Sequence, residues 1–157
     1  MKTIILYFSA ERGATKTVAG RMAVAIGAEL FPIEPEKPYS AADLNYMNPL
    51  ARCNREKIAR KDVPSAKAPQ DFSAYDLVLV GFPIWYGGAP NVVNTFLQGC
   101  DLKGKRVAAF ATSGGSPIGK TAEKLKPYLP GAELLDAKLF SSGASDEELR
   151  AWVEGLV

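Results

Sequence analysis

A chain of 157 residues, 47% hydrophobic and 23% charged, is long enough to bury a full core and has the composition of an ordinary globular protein. Its formal charge of +2, with the lysines and arginines scattered, offers no basic stripe for nucleic acid. It contains no histidine, which excludes Ser-His-Asp and Cys-His catalysis and nearly every zinc or haem site.

The opening MKTIILYFSA sets a basic residue before an apolar run, as a signal peptide would. The run from Ile4 to Phe8 is shorter than a secretory apolar region, and Glu11 and Arg12 follow at once. A buried first strand over 3–8 is expected instead, and no segment has the length or apolarity to span a membrane. Cys53 and Cys100 form no CxxC pair and read as free thiols of a cytoplasmic protein.

From Thr15 to Ile26, Val18, Met22, Ala25 and Ile26 fall at helical spacing and Gly27 ends the pattern. A weaker second strand is expected over 28–35. Residues 36–72 carry four prolines and many charges, and form a connection too long for a simple βα link. DLVLVGF over 76–82 is the strongest strand signal in the chain. Pro90 stands where a helix would begin, with Val92, Val93, Phe96 and Leu97 on one face and Gly99 at its close. KRVAAFA (105–111) and ELLDAKLF (133–140) read as the fourth and fifth strands. In the last helix Ser145 and Glu148 have capping-box spacing, and Leu149, Trp152, Val153 and Leu156 form a buried stripe. Strands alternating with helices argue for one parallel sheet covered on both faces, in a single domain spanning 1–157.

Three glycine-bearing loops then fall at the carboxyl ends of strands, where open α/β sheets bind ligands. SAERGAT follows the first strand and opens a helix. Unpaired helix N–H groups, the Ser9 and Thr15 hydroxyls and the Arg12 charge suit an anion; a plain strand-to-helix turn capped by Thr15 is the simpler alternative. PIWYGGAP follows the third strand and puts Trp85 and Tyr86 beside Gly87 and Gly88, as a flat aromatic ligand would require, though one ring could fold back over the sheet edge. TSGGSPIG follows the fourth strand. Within it GGSPIGKT, Gly114 to Thr121, matches the G-x-x-x-x-G-K-[ST] phosphate loop. A triphosphatase also needs an acidic metal ligand at a strand end, and the third strand runs into Gly81-Phe82-Pro83 with none. Pro117 moreover removes a donor from the supposed cradle.

Taken in order, these segments resemble a flavodoxin over almost the whole chain. ILYFSAERGATKTVA is similar to the flavodoxin strand and phosphate loop, and YDLVLVGFPIWYGGAPNVVNTFL to the strand, flavin loop and helix of a short flavodoxin-like subfamily. TSGGSPIG resembles that subfamily's second flavin loop, and PYSAADLNYMNPLARCNRE its insertion. The resemblance implies a three-layer α/β/α fold with a five-stranded parallel sheet of order 2-1-3-4-5. It also implies non-covalent FMN, with its phosphate at Ser9, Arg12, Gly13, Ala14 and Thr15. Pro83, Ile84, Trp85, Tyr86 and Gly87 would then form one flavin wall, and Thr112, Ser113, Gly114 and Gly115 would present backbone groups to the other edge.

The chain departs from the family pattern in places. Its first loop is one residue longer than usual between Ser9 and Thr15, Ala14 replaces an asparagine, and Pro117 replaces a glycine. Flavodoxins are typically acidic, which steers them to basic redox partners, whereas this chain is near neutral. The three loops, the lack of histidine and the lack of a second domain for a nicotinamide make an FMN electron carrier, serving a redox partner protein or a small-molecule donor or acceptor, the first expectation, though the charge weakens a shuttle role. An FMN-dependent NAD(P)H:quinone or other small-molecule oxidoreductase is the second. A binding protein without flavin and a triphosphatase are the competing classes. No metal, nucleic acid or membrane partner is expected.

Overall fold

The structure is a computed structural model that describes residues 2–9, 13–34, 71–85, 88–113 and 118–156. In chain order its elements are β1 (Thr3–Tyr7), α1 (Ala14–Ile26), β2 (Glu29–Pro32), β3 (Leu77–Pro83), α2 (Asn91–Gln98) and β4 (Arg106–Thr112). There follow α3 (Thr121–Leu125), a 3-10 turn (Lys126–Tyr128), β5 (Glu133–Leu139) and α4 (Asp146–Glu154). The strands form one parallel sheet of order β2-β1-β3-β4-β5, the order that the resemblance implies. Most of the expected 36–72 connection lies outside the described residues, as do Cys53, Arg12, Tyr86, Gly87, Gly114, Gly115 and Pro117.

Alternation along the central strands separates two cores. Ile4, Leu6, Val78, Val80, Phe82, Val107, Ala109 and Ala111 face one side, where they meet Val92, Val93, Phe96 and Leu97 of α2. Ile5, Leu77, Leu79, Ala108 and Phe110 face the other side, against Val18, Ala19 and Met22 of α1 and Leu149 and Val153 of α4. Because both faces are covered, β1, β3 and β4 read as continuous apolar runs and not as alternating ones. Each fully buried large side chain contributes roughly 1.5–3 kcal/mol over its exposed state. The two edge strands are more exposed, and β5 carries Glu133, Asp136 and Lys138, charges that discourage pairing with another sheet edge. Its register on β4 slips between Val107 and Ala108, leaving Leu135 unmatched as a bulge.

Local chemistry explains the helix ends. Gly27 closes α1 in the left-handed region at φ 71, and Ser145 Oγ accepts the Glu148 N–H at 3.1 Å at the start of α4. Pro90 precedes α2 as its N-cap instead of forming its first helical residue. Trp152, expected among the buried stripe, sits half-buried at the rim of the core. Its indole N–H donates to Asp136 Oδ2 at 2.9 Å, and its ring meets Phe140 edge-on with centroids 5.4 Å apart. Among the described residues no helix is long and apolar enough to cross a membrane.

Candidate functional site: the strand ends of β1, β3 and β4

Because β1, β3 and β4 are adjacent and parallel, their carboxyl ends emerge side by side at one edge. Backbone hydrogen bonds carry the order beyond the strands. The Phe8 N–H donates to the Gly81 carbonyl at 2.9 Å, and the Ile84 N–H donates to the Thr112 carbonyl at 2.9 Å. Ser9, Ile84 and Ser113 thus leave the sheet from neighbouring positions, as the three-loop reading requires.

At the first loop the helix begins one residue earlier than expected. Gly13 is the N-cap of α1, in the left-handed conformation at φ 70, and contributes no side-chain cap. The expected cap, Thr15, lies inside the helix. The Thr17 N–H closes the first intrahelical bond onto the Gly13 carbonyl at 2.9 Å, so the amides of Ala14, Thr15 and Lys16 precede the ladder. That of Lys16 donates to Ser9 Oγ at 3.2 Å. The first turn of α1 has no acidic residue, and the Lys16 side chain is exposed there. Donor amides, a hydroxyl, a cation and the positive end of a helix dipole form a donor set that fits a phosphate. Lys16 was missed in the sequence reading because it lies one residue past the motif.

The second loop starts with Trp85, which exchanges backbone hydrogen bonds with Gly88 at 2.9 and 3.2 Å. Its half-buried ring meets Phe8 edge-to-face, with centroids 5.7 Å apart and planes at 89°. Phe8, also missed, continues the Ile4 and Leu6 face past the end of β1 and braces this aromatic wall from below. Period two along the first strand was the signal that could have found it. Pro83 and Ile84 are half-buried and buried respectively at the base of the same wall.

At the third loop Thr112 and Thr15 are both buried, at 3% and 1% exposure, and their Oγ1 atoms are 2.7 Å apart. The Thr15 side chain is therefore turned toward the end of β4, while Ser113 beside it is half-buried. Downstream, Gly114 to Pro117 of the phosphate-loop match lie outside the described residues, and the described part presents no triphosphatase chemistry. The Thr121 hydroxyl is buried and donates to the Ile118 carbonyl, Lys120 is an exposed N-cap, and Asp136 is taken by Trp152.

Comparison with known proteins agrees with this fold. The flavodoxin family is matched over residues 2–156. A protein from Bacteroides eggerthii provisionally assigned as a flavoprotein shares 36% identity, with 99% of this chain and 97% of that one covered, at a TM-score of 0.90. A flavoprotein from Lactobacillus acidophilus solved with FMN superimposes at 0.70 with 22% identity, covering 97% and 98% of the two chains. Flavodoxin 2 from Bacillus cereus, at 19% identity and 0.59, covers 99% and 97% and shares the fold. Comparison with curated proteins gives no match. The chain belongs to the flavodoxin family, whose cofactor is FMN.

Proposed function

We propose that this protein carries electrons through non-covalently bound FMN, between a small-molecule or protein donor and acceptor in the cytoplasm. The observation that carries the reading is the start of α1, where Gly13 gives no side-chain cap and the first turn has an exposed lysine and no acid, beside the half-exposed Trp85 wall. An anionic tail and a flat ring suit those two surfaces. Bound FMN would supply one- and two-electron chemistry that no side chain of a histidine-free chain offers.

The chain's own residues hold and tune that group. Ser9, Gly13, Ala14 and Thr15 would hold the phosphate end, with amides as the main donors, and Arg12, outside the described residues, is assigned there by the resemblance alone. Pro83, Ile84 and Trp85 would form the ring wall, with Tyr86 and Gly87, outside the described residues, assigned to it by the resemblance alone. Thr112 and Ser113, with Gly114 and Gly115 assigned by the resemblance alone, would offer backbone groups to the ring's polar edge, where a hydrogen bond favours one oxidation state over another. One domain spanning 1–157 is the unit this reading takes.

The near-neutral charge favours a second reading, an FMN-dependent NAD(P)H:quinone or related oxidoreductase, because no acidic field steers a basic protein partner. Stopped-flow mixing of the FMN-loaded protein with saturating NADPH separates the two. The carrier reading expects no bleaching of the flavin absorbance without a partner. Rapid bleaching by NADPH alone would replace it with the oxidoreductase.

A further inference from the structure

Thr112 is where the three loops are tied together. Its carbonyl accepts the Ile84 N–H from the strand that leads into the aromatic loop, and its hydroxyl meets that of Thr15 in the first turn of α1 at 2.7 Å. The two hydroxyls are buried and lie 97 residues apart in sequence. The Lys16 N–H, donating to Ser9 Oγ at 3.2 Å, ties the same turn of α1 to the end of β1, and the threonine pair ties it to the end of β4. A buried hydroxyl pair is costly to break on one side only, because the survivor is left without its partner.

We infer that Thr112 is a positioning residue that fixes the phosphate-binding end of α1 relative to the ring-binding loops by latching Thr15. The inference rests on the FMN reading above. FMN spans both ends of the site, so its affinity depends on their mutual placement as well as on each contact; a preformed spacing lets the second contact follow the first at high effective concentration. Riboflavin, which has the same ring and no phosphate, engages the ring end alone. The hydroxyl pair therefore sets the preference for FMN over riboflavin through the spacing of the two ends.

The test measures FMN and riboflavin dissociation constants by flavin fluorescence for the unsubstituted protein, Thr112→Val and Thr112→Ser. Valine matches threonine in shape and removes the hydroxyl, and serine keeps it. Thr112→Val should weaken FMN about tenfold and riboflavin less than about twofold, and Thr112→Ser should restore the FMN value. Thermal melts of the flavin-free Thr15→Val, Thr112→Val and doubly substituted proteins should be non-additive, the second substitution costing much less than the first. Equal losses for FMN and riboflavin, or additive shifts in the flavin-free melts, would overturn the latch while leaving the FMN reading intact. An unsubstituted, folded protein that binds no FMN would instead overturn that reading, and the inference with it.

Discussion

Gly81 and Gly13 show how the same residue type serves two different physical ends. On β3, the ring of Phe110 from the paired strand lies across Gly81, and a Cβ there would sit 2.2 Å from the Phe110 Cζ. Gly13 has nothing within 4 Å of a Cβ, and its need for glycine is conformational, at φ 70. Gly81→Ala forces the ring or the strand to move, so it should cost about 1–3 kcal/mol in urea unfolding. Gly13→Ala should cost about 1 kcal/mol through backbone strain alone, with the m-value unchanged. A Gly81→Ala loss no larger than that of Gly13→Ala would mean that Phe110 repacks freely. Neither requirement was visible in the sequence, where both are simply glycines near a strand end. The Thr15–Thr112 bond was equally hidden, because it depends on which strands become neighbours.

Secondary structure was far easier to read, since it is encoded in local periodicity. The five strands were expected at 3–8, 28–35, 76–82, 105–111 and 133–140 and occur at Thr3–Tyr7, Glu29–Pro32, Leu77–Pro83, Arg106–Thr112 and Glu133–Leu139. The weakest agreement is at β2, an edge strand that ends at Pro32, although the Ile33 N–H still donates to the Tyr7 carbonyl of β1 at 2.6 Å. Helix α1 gained a residue because Gly13, not Thr15, provides the turn into it. Trp152 packs against the core as its helical spacing expects, and stays only half-buried because spacing marks a face and not a depth and its indole N–H reaches Asp136 at the rim. Helix α4 tests the capping argument directly. Ser145→Ala removes the acceptor for the Glu148 N–H and should cost about 1 kcal/mol of stability, measured by urea denaturation. The adjacent Arg21–Asp146 pair is exposed, so Arg21→Ala should change the same midpoint far less.

Over the whole molecule, the edge opposite the site is held by charge. The Tyr75 hydroxyl donates to Glu29 Oε2, and Lys2 lies 3.6 Å from the other carboxylate oxygen. The Tyr75 bond, with help from the Lys2 charge, holds Glu29 below its ordinary value of 4.5. The same bond raises Tyr75 above 10.0. A lowered acid stabilises the fold above its unfolded value and loses that contribution as pH falls, while a raised phenol loses its contribution as pH climbs. The stability gap between the protein and Tyr75→Phe should therefore be level through neutral pH, shrink below about 4.5 and shrink again above about 10.0. A gap independent of pH would show that the pair is not coupled. Cys100, buried with its thiol pushed up to about 12 and donating to the Phe96 carbonyl, should stay unreactive to thiol reagents until the fold opens. At the functional edge the decisive quantity is flavin uptake. The protein, incubated with FMN and freed of excess by gel filtration, should keep flavin absorbance in stoichiometric amount and release FMN on denaturation. A folded protein that emerges without flavin absorbance would contradict the account.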